Sequence, residues 1–341
     1  MHGCFTALIT PFDAKSNVDE GGLEKLIEFQ LAAGVSGILA VGTTGESPTL
    51  LWEEHNHVVE RVCTLVKGRA LSIAGSGSNS TREALKATRH AAEAGADAAL
   101  VVDPYYNGPS SLEIRREYLA PLAAAVPNLQ LIPYIIPGRS GTQLLPEDLA
   151  ILASEFKNIS MVKEATGDLD NMRRTRECCG ADFTILSGDD NLLVEMMSDE
   201  RIGAAGIISV MSNIAPATMQ QMTVALAAGD VAAATKLRDA MQPLFNIIGV
   251  ATSEPTPFGN ADVKARNPLP LKTLMNVLGM PSGPCRRPLG KMTKAGLAVV
   301  MEAARTVQAN NPEIFAPIAE FFDVDVAARL ADDSLLDALS Y

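Results

Sequence analysis

Short apolar runs alternate along the first two thirds of the chain with longer stretches in which apolar residues recur at helical spacing. The runs are continuously apolar rather than alternating, which is typical of parallel strands covered on both faces. Each gap between them has room for a helix. The pattern therefore predicts eight strands near residues 5–10, 37–41, 71–74, 98–102, 131–135, 160–163, 184–186 and 206–210.

The junctions between these units also resemble one another. Segments 31–42, 90–103 and 201–210 each pass from a helix end through small residues and glycine into a strand. Eight such units predict an α/β fold of the closed (β/α)8 type, a TIM barrel. A doubly wound open sheet would show the same alternation, but it usually has fewer strands and binds its ligand at one switch point.

The pattern changes after about residue 212, where strands are expected to cease. We predict a barrel over residues 1–228 that carries the active site, followed by a C-terminal helical region over 229–341 with an extra helical tail. A polar segment, 253–266, interrupts this region. Amphipathic spacing in the tail suits a helix that covers the barrel or an oligomer interface. The helical stretches are expected near 215–229, 231–247, 268–279, 292–309 and 314–339.

Composition narrows the classes of function. Of 341 residues, 47% are hydrophobic and 20% are charged, which supports a packed core and excludes a wholly disordered chain. A net charge of −12 opposes binding to nucleic acid. No apolar run approaches the roughly 18 residues of a membrane-spanning helix, and no basic leader opens the chain. We expect a cytoplasmic protein with no membrane partner, and its five scattered cysteines suit free thiols.

In such barrels the active site lies at the carboxyl ends of the strands, so the polar residues that follow each run are candidates. The sixth run ends in Lys163, where burial would favour the neutral amine that forms imines with ketones. The alternative is a lysine that reaches solvent or pairs with Glu164. Tyr134 ends the fifth run and is suited to proton transfer, although a lone tyrosine is more often packing.

Three further residues are candidates for the chemistry of the site. Thr43 or Thr44 offers a hydroxyl that relays protons beside Tyr134. Arg139 lies in a Pro-Gly-Arg-Ser-Gly turn, where its guanidinium suits bidentate binding of a carboxylate, whereas its alternative is a surface arginine.

The sequence gives little support for a nucleotide site or a metal site. Segment 42–46 lacks the GxxxxGK[ST] motif, and segment 75–80 has serine in place of the third glycine of the dinucleotide fingerprint. The four histidines all lie before the middle of the chain, and His55 and His57 point to different sides of a helix. We expect no metal and no cofactor.

Taken in order, these motifs resemble the dihydrodipicolinate synthase/N-acetylneuraminate lyase family. The resemblance extends from about residue 4 to about residue 300. It rests on Thr43-Thr44-Gly45-Glu46, Tyr105-Tyr106-Asn107, Tyr134 with the 137–141 turn, and Lys163-Glu164-Ala165-Thr166-Gly167, with Ser187-Gly188-Asp189-Asp190, 206–210 and 267–272 as further signatures.

The resemblance implies class I aldolase chemistry. Lys163 would form a Schiff base with pyruvate, and the derived enamine would attack the aldehyde of aspartate 4-semialdehyde in diaminopimelate and lysine biosynthesis. Tyr134 would be the general acid and base. Thr43 would link it to Tyr106, which would reach across a dimer interface into the neighbouring site. A homotetramer, a dimer of dimers, is the implied assembly.

The resemblance also assigns substrate contacts. Thr44 and its backbone would hold the pyruvate carboxylate, Gly188 and Ile208 would line the pyruvate pocket, and Arg139 would hold a carboxylate at the entrance. Sugar-acid lyases of the family generally lack this arginine, so Arg139 favours the amino-acid pathway. Two alternatives stay open: a pyruvate-dependent class I aldolase or lyase acting on a sugar acid or hydroxy-keto acid, and a non-catalytic ligand-binding oligomer.

A second site is implied for L-lysine as an allosteric inhibitor. The alternative is an ordinary helix face, since Trp52 and His55 are three residues apart. The chain departs from the family at Pro133 and Ile135, in segment 253–266, and in about 40 additional C-terminal residues. The implied lysine-site residues are Ser47, Trp52, His55, Asn79, Glu83 and Tyr105.

Overall fold

The computed structural model describes residues 1–341, and its first eight strands form a closed parallel barrel in the order in which they occur along the chain. Pairing of the eighth strand with the first closes the barrel, with Gly3 opposite Gly206. A Cβ at Gly206 would lie 2.1 Å from the Gly3 carbonyl oxygen, so this closure requires glycine. The strands are β1 Gly3–Ala7, β2 Gly37–Ala40, β3 Leu71–Gly75, β4 Ala98–Val102, β5 Gln130–Ile135, β6 Met161–Glu164, β7 Thr184–Ser187 and β8 Gly206–Ser209.

The predicted barrel is thus confirmed, and seven of the predicted strands begin and end within a residue or so of the observed ones. The first begins earlier and ends at Ala7, because residues 8–10 leave the sheet while staying buried. The Leu8 backbone N–H still donates to the Leu39 carbonyl oxygen at 3.0 Å.

Helices occupy every connection between successive strands and most of the chain after them. Acidic side chains begin several of them: the Asp19 carboxylate accepts from the Gly22 N–H at 2.9 Å, and Asp168 caps the helix after β6. The helices are α1 Glu20–Ala32, α2 Trp52–Val66, α3 Thr81–Glu93, α4 Ser111–Glu113, α5 Ala120–Ala125, α6 Pro137–Ser140, α7 Pro146–Glu155, α8 Leu169–Cys179, α9 Leu193–Ser198, α10 Pro216–Ala227, α11 Val231–Phe245, α12 Leu269–Val277, α13 Lys294–Asn310, α14 Ala316–Phe322, α15 Val326–Ala331 and α16 Ser334–Leu339.

Two apolar layers hold the barrel together. The outer layer packs strands against helices and continues without a break into the C-terminal helices. The inner layer fills the barrel with side chains from alternating strand positions, as small barrels require. Tyr134 and Ile208 belong to this inner layer, so their strands direct them toward the barrel axis.

The prediction that strands cease after residue 212 is wrong. Strands β9 Gly249–Thr256 and β10 Gly259–Arg266 form an antiparallel hairpin over the segment expected to be an irregular polar interruption. Most of its residues are exposed, so the sequence lacks the apolar alternation that marks a half-buried strand. Pro255 lies inside β9, where it is tolerated because the strand is at a solvated edge.

The tail, expected as one helical stretch over 314–339, is three short helices. Asp323 has a left-handed backbone, φ 54°, which ends α14, and the Asp325 carboxylate begins α15 by accepting from the Ala328 N–H at 2.9 Å. Phe321 and Phe322 pack on Phe29 of α1, with ring centroids 5.3 and 5.2 Å apart. The tail therefore covers the outside of the barrel.

One tail residue also contacts the C-terminal end of α12. The Arg329 guanidinium donates to the carbonyl oxygens of Val277 at 2.6 Å and Asn276 at 2.8 Å. A cation at a helix C-terminus stabilises the helix dipole.

None of the helices has the length and apolar character needed to cross a bilayer. All five cysteines are free thiols.

Candidate active site

A cavity of about 210 Å³ opens at the carboxyl ends of the barrel strands. Six of the predicted residues line it together, which the barrel topology achieves because neighbouring strands end at one rim. These six are Thr43, Thr44, Tyr134, Arg139, Lys163 and Gly188, and the remaining lining residues are Ala7, Leu39, Ile136, Ala165, Asp189, Asp190, Asn191, Val210, Ile248 and Asn267.

Lys163 lies on β6 directly opposite Tyr134 of β5 in the strand register. Its Nζ is 4.2 Å from the centre of the Tyr134 ring, and the side chain is only 4% exposed. Burial lowers the pKa of Lys163 to about 7, while the negative charge of Asp190 opposes this shift and Arg139 adds to it. The amine is therefore largely available as a nucleophile near neutral pH.

The alternative for Lys163, an ion pair with Glu164, is not what the structure contains. Successive residues of a strand point to opposite sides, so Glu164 faces away from the barrel interior. Its carboxylate accepts from the Thr166 backbone N–H at 2.8 Å and from the Asn171 amide at 3.1 Å. Lys163 is therefore left without a carboxylate partner.

Tyr134 is the phenol of the cavity. Burial raises its pKa to about 12, and the positive charge of Arg139 and the Thr43 hydroxyl oppose that shift. The phenol is thus protonated at neutral pH and lies within the same cavity as the amine. Thr43 provides the adjoining hydroxyl that the sequence predicted as a relay.

Asp190 is a functional residue whose role the sequence did not reveal beyond its place in a signature motif. Its carboxylate accepts from the Ser209 hydroxyl and from the Val210 backbone N–H, the latter at 3.0 Å. Burial raises its pKa to about 6, so at neutral pH it is mostly charged. Its negative charge faces Lys163 from the adjoining strand ends and tunes the amine.

Gly188 leaves room for the lysine. A Cβ at this position would lie 3.1 Å from Cε of Lys163 and 2.7 Å from Cβ of Ala165. Ile208, expected to line the same pocket, is fully buried in the inner layer and is not among the residues that line the cavity. Val210, which follows the end of β8, lines it.

The loop after β2 is fixed from the C-terminal region. Glu46 has a left-handed backbone, φ 57°, and its carboxylate accepts from Nζ of Lys272 at 2.6 Å and from the Arg286 backbone N–H at 2.8 Å. The Glu46 and Lys272 side chains are each 1% exposed. The Asn267 amide also donates to the Thr44 hydroxyl at 3.0 Å. The Thr43–Thr44 segment is therefore held by residues more than 200 positions away.

Sequence reasoning named Asn267 and Lys272 only as parts of a motif. No local pattern shows that α12 packs on the loop after β2. A buried lysine inside an otherwise apolar helix was the available signal, since such a residue is rarely buried without a partner.

Arg139 lies on α6 at the mouth of the cavity. Its Nη2 donates to the Asn267 carbonyl oxygen at 3.0 Å, which directs the guanidinium across the entrance. Desolvation of its guanidinium lowers the pKa of Arg139 although the residue as a whole is exposed, and the side chain forms no ion pair with a carboxylate. It is thus a cation free to bind an anionic group.

Tyr106 does not line the cavity of its own chain. The side chain is 92% exposed, and its backbone is held in a left-handed conformation, φ 87°. Its contact with Thr43 across a subunit interface stays a prediction.

A second cavity of about 160 Å³ contains five of the six residues expected to bind lysine: Ser47, Trp52, His55, Glu83 and Tyr105. Asn79 is exposed and does not line it; Gly77 and Ser78 do.

Two side-chain contacts hold the lining of this second cavity in place. The Ser78 hydroxyl donates to the Glu83 carboxylate at 2.6 Å, and the Trp52 and His55 rings meet edge to face at 5.0 Å. Trp52 and His55 thus share a helix face, as the alternative interpretation required, but that face borders a cavity. No group of three or more His, Cys, Asp or Glu side chains is arranged to hold a metal ion.

The chain matches the dihydrodipicolinate synthetase family over residues 1–307. The curated 4-hydroxy-tetrahydrodipicolinate synthase of Syntrophus aciditrophicus is 42% identical over 292 residues, which cover 86% of this chain and 93% of that protein. The enzyme of the same name from Geotalea daltonii is 42% identical over 293 residues, 86% of this chain and 94% of that protein.

The chain also resembles solved structures of dihydrodipicolinate synthases. The crystal structure of dihydrodipicolinate synthase from Aquifex aeolicus aligns with a TM-score of 0.81 at 37% identity and covers 89% of this chain and 97% of that one. The corresponding protein from Cyanidioschyzon merolae, solved with lysine bound, aligns with a TM-score of 0.81 at 34% identity and covers 90% and 98% of the two chains.

Proposed function

The chain belongs to the dihydrodipicolinate synthetase family, and we propose that it condenses pyruvate with L-aspartate 4-semialdehyde, the reaction of a 4-hydroxy-tetrahydrodipicolinate synthase. This is a lyase-type step of diaminopimelate and lysine biosynthesis. The observation that carries the proposal is Lys163, a buried amine without a carboxylate partner, beside the Tyr134 phenol and below the Arg139 guanidinium.

The first half of the reaction forms a Schiff base. The neutral amine of Lys163 attacks C2 of pyruvate, and the carbinolamine oxygen takes a proton from Tyr134 and leaves as water. Loss of a proton from C3 of the resulting imine gives an enamine. The lysine pKa of about 7 supports the attack, and the tyrosine pKa of about 12 keeps the phenol protonated for its donation.

The second half forms the new carbon–carbon bond. C3 of the enamine attacks the aldehyde carbon of the semialdehyde, and the aldehyde oxygen takes a proton. The amino group of the semialdehyde then attacks C2 and displaces Lys163, so the ring closes and the free amine is regenerated. The protons in this scheme move between the substrates, the Lys163 amine, Tyr134 and water.

Two polar anchors orient the substrates. Thr44 and its backbone hold the pyruvate carboxylate, and the Asn267 amide fixes the Thr44 hydroxyl for this task. Gly188 provides the space beside Lys163 in which the methyl group of pyruvate fits. Arg139 at the entrance holds the carboxylate of the semialdehyde through a bidentate, charge-assisted contact.

Turnover of semialdehyde in a coupled reductase assay tests the proposal. We expect Lys163→Ala to abolish turnover and Arg139→Ala to raise KM for the semialdehyde far more than KM for pyruvate. Arg116→Ala is the matched control, since Arg116 is also exposed but lies outside the cavity. If Arg139→Ala leaves the semialdehyde kinetics unchanged, an aldolase acting on a sugar acid or hydroxy-keto acid becomes the better hypothesis.

We further propose that the active assembly is a homotetramer in which Tyr106 completes the hydrogen-bonded chain from Tyr134 through Thr43 of a neighbouring subunit. The exposed side chain and fixed backbone of Tyr106 support this role. Mixing Tyr106→Phe subunits with Lys163→Ala subunits tests it. A hybrid dimer then contains one site with both native residues, so activity should reappear on mixing only if the tyrosine acts across the interface.

We propose L-lysine as an inhibitor that binds the second cavity. The Glu83 carboxylate suits an ammonium group, and a relative at 34% identity was solved with lysine bound. We also retain as a proposal the division into a barrel over 1–228 and a C-terminal region over 229–341, which is helical apart from the β9–β10 hairpin; the turn between α10 and α11 supports this boundary. The cytoplasmic location stays a prediction of the sequence.

A further inference from the structure

The hairpin of β9 and β10 is anchored at the mouth of the active-site cavity. The residue before it, Ile248, and the residue after it, Asn267, both line the cavity. The Asn267 backbone N–H donates to the Ile248 carbonyl oxygen at 2.8 Å and so closes the base of the hairpin. The last residue of β10, Arg266, therefore leaves the sheet at the cavity entrance.

The base of the hairpin is fixed while its tip is free. Val250 is 5% exposed and belongs to the apolar core that includes α13, and Arg266 pairs with Gly249 at the first rung of the ladder. Phe258 at the tip is 99% exposed. A residue at the anchored end has a defined position, which a binding contact requires.

Arg266 and Arg139 each donate a hydrogen bond to the backbone of the residue next to the other. Nη1 of Arg266 donates to the Gly138 carbonyl oxygen at 3.3 Å, and Nη2 of Arg139 donates to the Asn267 carbonyl oxygen at 3.0 Å. The positive charge of Arg266 contributes to lowering the pKa of Arg139, as expected for two cations on the same side of the entrance. Both guanidinium groups donate hydrogen bonds to carbonyl oxygens, and neither forms an ion pair.

Two adjacent cations without a counter-ion repel one another, and an anion placed between them relieves that repulsion. A carboxylate is the anion that a pair of planar guanidinium groups binds with defined geometry. The side of the entrance formed by Arg139 is where the second substrate arrives, because Lys163 and pyruvate occupy the cavity below it.

We propose that Arg266 is a second carboxylate-binding residue, which together with Arg139 holds the carboxylate of the incoming aldehyde and selects carboxylate-bearing aldehydes. This inference rests on the proposed function. It assigns to the hairpin a share of the specificity that Arg139 provides from the barrel.

The test is a comparison of steady-state constants for Arg266→Ala, Arg266→Lys and the matched control Lys264→Ala. Lys264 lies two residues earlier on the same strand, is exposed, and is farther from the mouth. Loss of one charge-assisted contact predicts a rise of about ten-fold in KM for the semialdehyde with Arg266→Ala. Arg266→Lys should give a smaller rise, because it keeps the charge but not the fork.

Pyruvate KM, borohydride trapping of the pyruvate imine and thermal unfolding should stay as in the unchanged enzyme for all three variants. The inference is overturned if Arg266→Ala and Lys264→Ala have equal effects, or if Arg266→Ala shifts both KM values and the unfolding midpoint together, as a purely structural role would. Absence of semialdehyde turnover in the unchanged enzyme would instead overturn the proposed function, and with it this assignment of Arg266.

Discussion

The pKa of Lys163 gives the sharpest quantitative prediction, because burial lowers it from an ordinary 10.5 to about 7. At pH 7 about half of the buried amine is neutral, whereas roughly one exposed lysine in 3,000 is neutral at that pH. Only the neutral amine attacks a ketone. Lys163 should therefore form an imine with pyruvate about a thousandfold faster at pH 7 than an exposed lysine with the same intrinsic reactivity.

The assay is trapping with pyruvate and cyanoborohydride between pH 5.5 and 9, followed by peptide mapping. The rate of modification at Lys163 should rise with pH and level off with a midpoint near 7, because deprotonation creates the nucleophile. Lys157 is an internal control in the same digest, since it is exposed and precedes the same strand. Its modification should keep rising to the top of the pH range.

The charge of Asp190 provides a second test of the Lys163 pKa. The negative charge of Asp190 favours the protonated amine and so raises the pKa of Lys163. Asp190→Asn removes that charge and should move the midpoint to lower pH. A Lys163 midpoint above 9, or equal rates at Lys163 and Lys157, would refute the reasoning that burial activates this amine.

Four further outcomes are expected. Tyr134→Phe should lower kcat by about 10²–10⁴-fold while circular dichroism stays native, because it removes the proton donor and no packing volume; an unchanged kcat would exclude that role. Gly188→Ala should slow imine trapping, because the added Cβ lies 3.1 Å from Cε of the catalytic lysine; unimpaired trapping would show that the site relaxes around it. Lys272→Met should lower the free energy of unfolding by about 3–5 kcal/mol in urea titrations, because it leaves the Glu46 carboxylate buried without its cation. The double variant with Glu46→Gln should lose much less, and additive losses would contradict the pairing. Glu83→Gln should weaken inhibition by lysine without changing kcat, and undiminished inhibition would remove that carboxylate from the binding site.

The barrel could be predicted because its signal is local and repeated. Each strand is a short apolar run, and each connection has room for a helix. Because active sites lie at the carboxyl ends of barrel strands, the sequence alone predicts Lys163 and Tyr134 at one rim. Register then places these two residues opposite each other, as expected for the ends of adjacent strands.

Contacts between distant segments could not be predicted in the same way. Hydrogen bonds from Asn267 and Lys272 to the loop after β2 depend on how α12 packs, and no periodicity encodes that packing. The hairpin was missed because its faces are solvated, so no apolar alternation marks its strands. The breaks in the tail follow from a left-handed aspartate, a conformation that sequence periodicity does not report.

Ile208 illustrates a different difficulty. Family resemblance placed it on the pocket wall, but in this chain its side chain points into the filled barrel and Val210 takes the wall position. The strand was correctly predicted, but the residue that lines the cavity lies two positions after the one that packs in the barrel.

The central claim is that Lys163 carries pyruvate as a Schiff base to an aldehyde bearing a carboxylate. The most direct measurement is incubation with pyruvate, reduction with borohydride and mass mapping of the adduct, with and without prior addition of aspartate 4-semialdehyde. The account predicts one pyruvate-derived adduct on Lys163 alone, which prior semialdehyde diminishes as pyruvate is consumed in turnover. An adduct on another lysine, or no adduct, would contradict the claim, and an adduct that semialdehyde leaves unchanged would contradict the proposed second substrate.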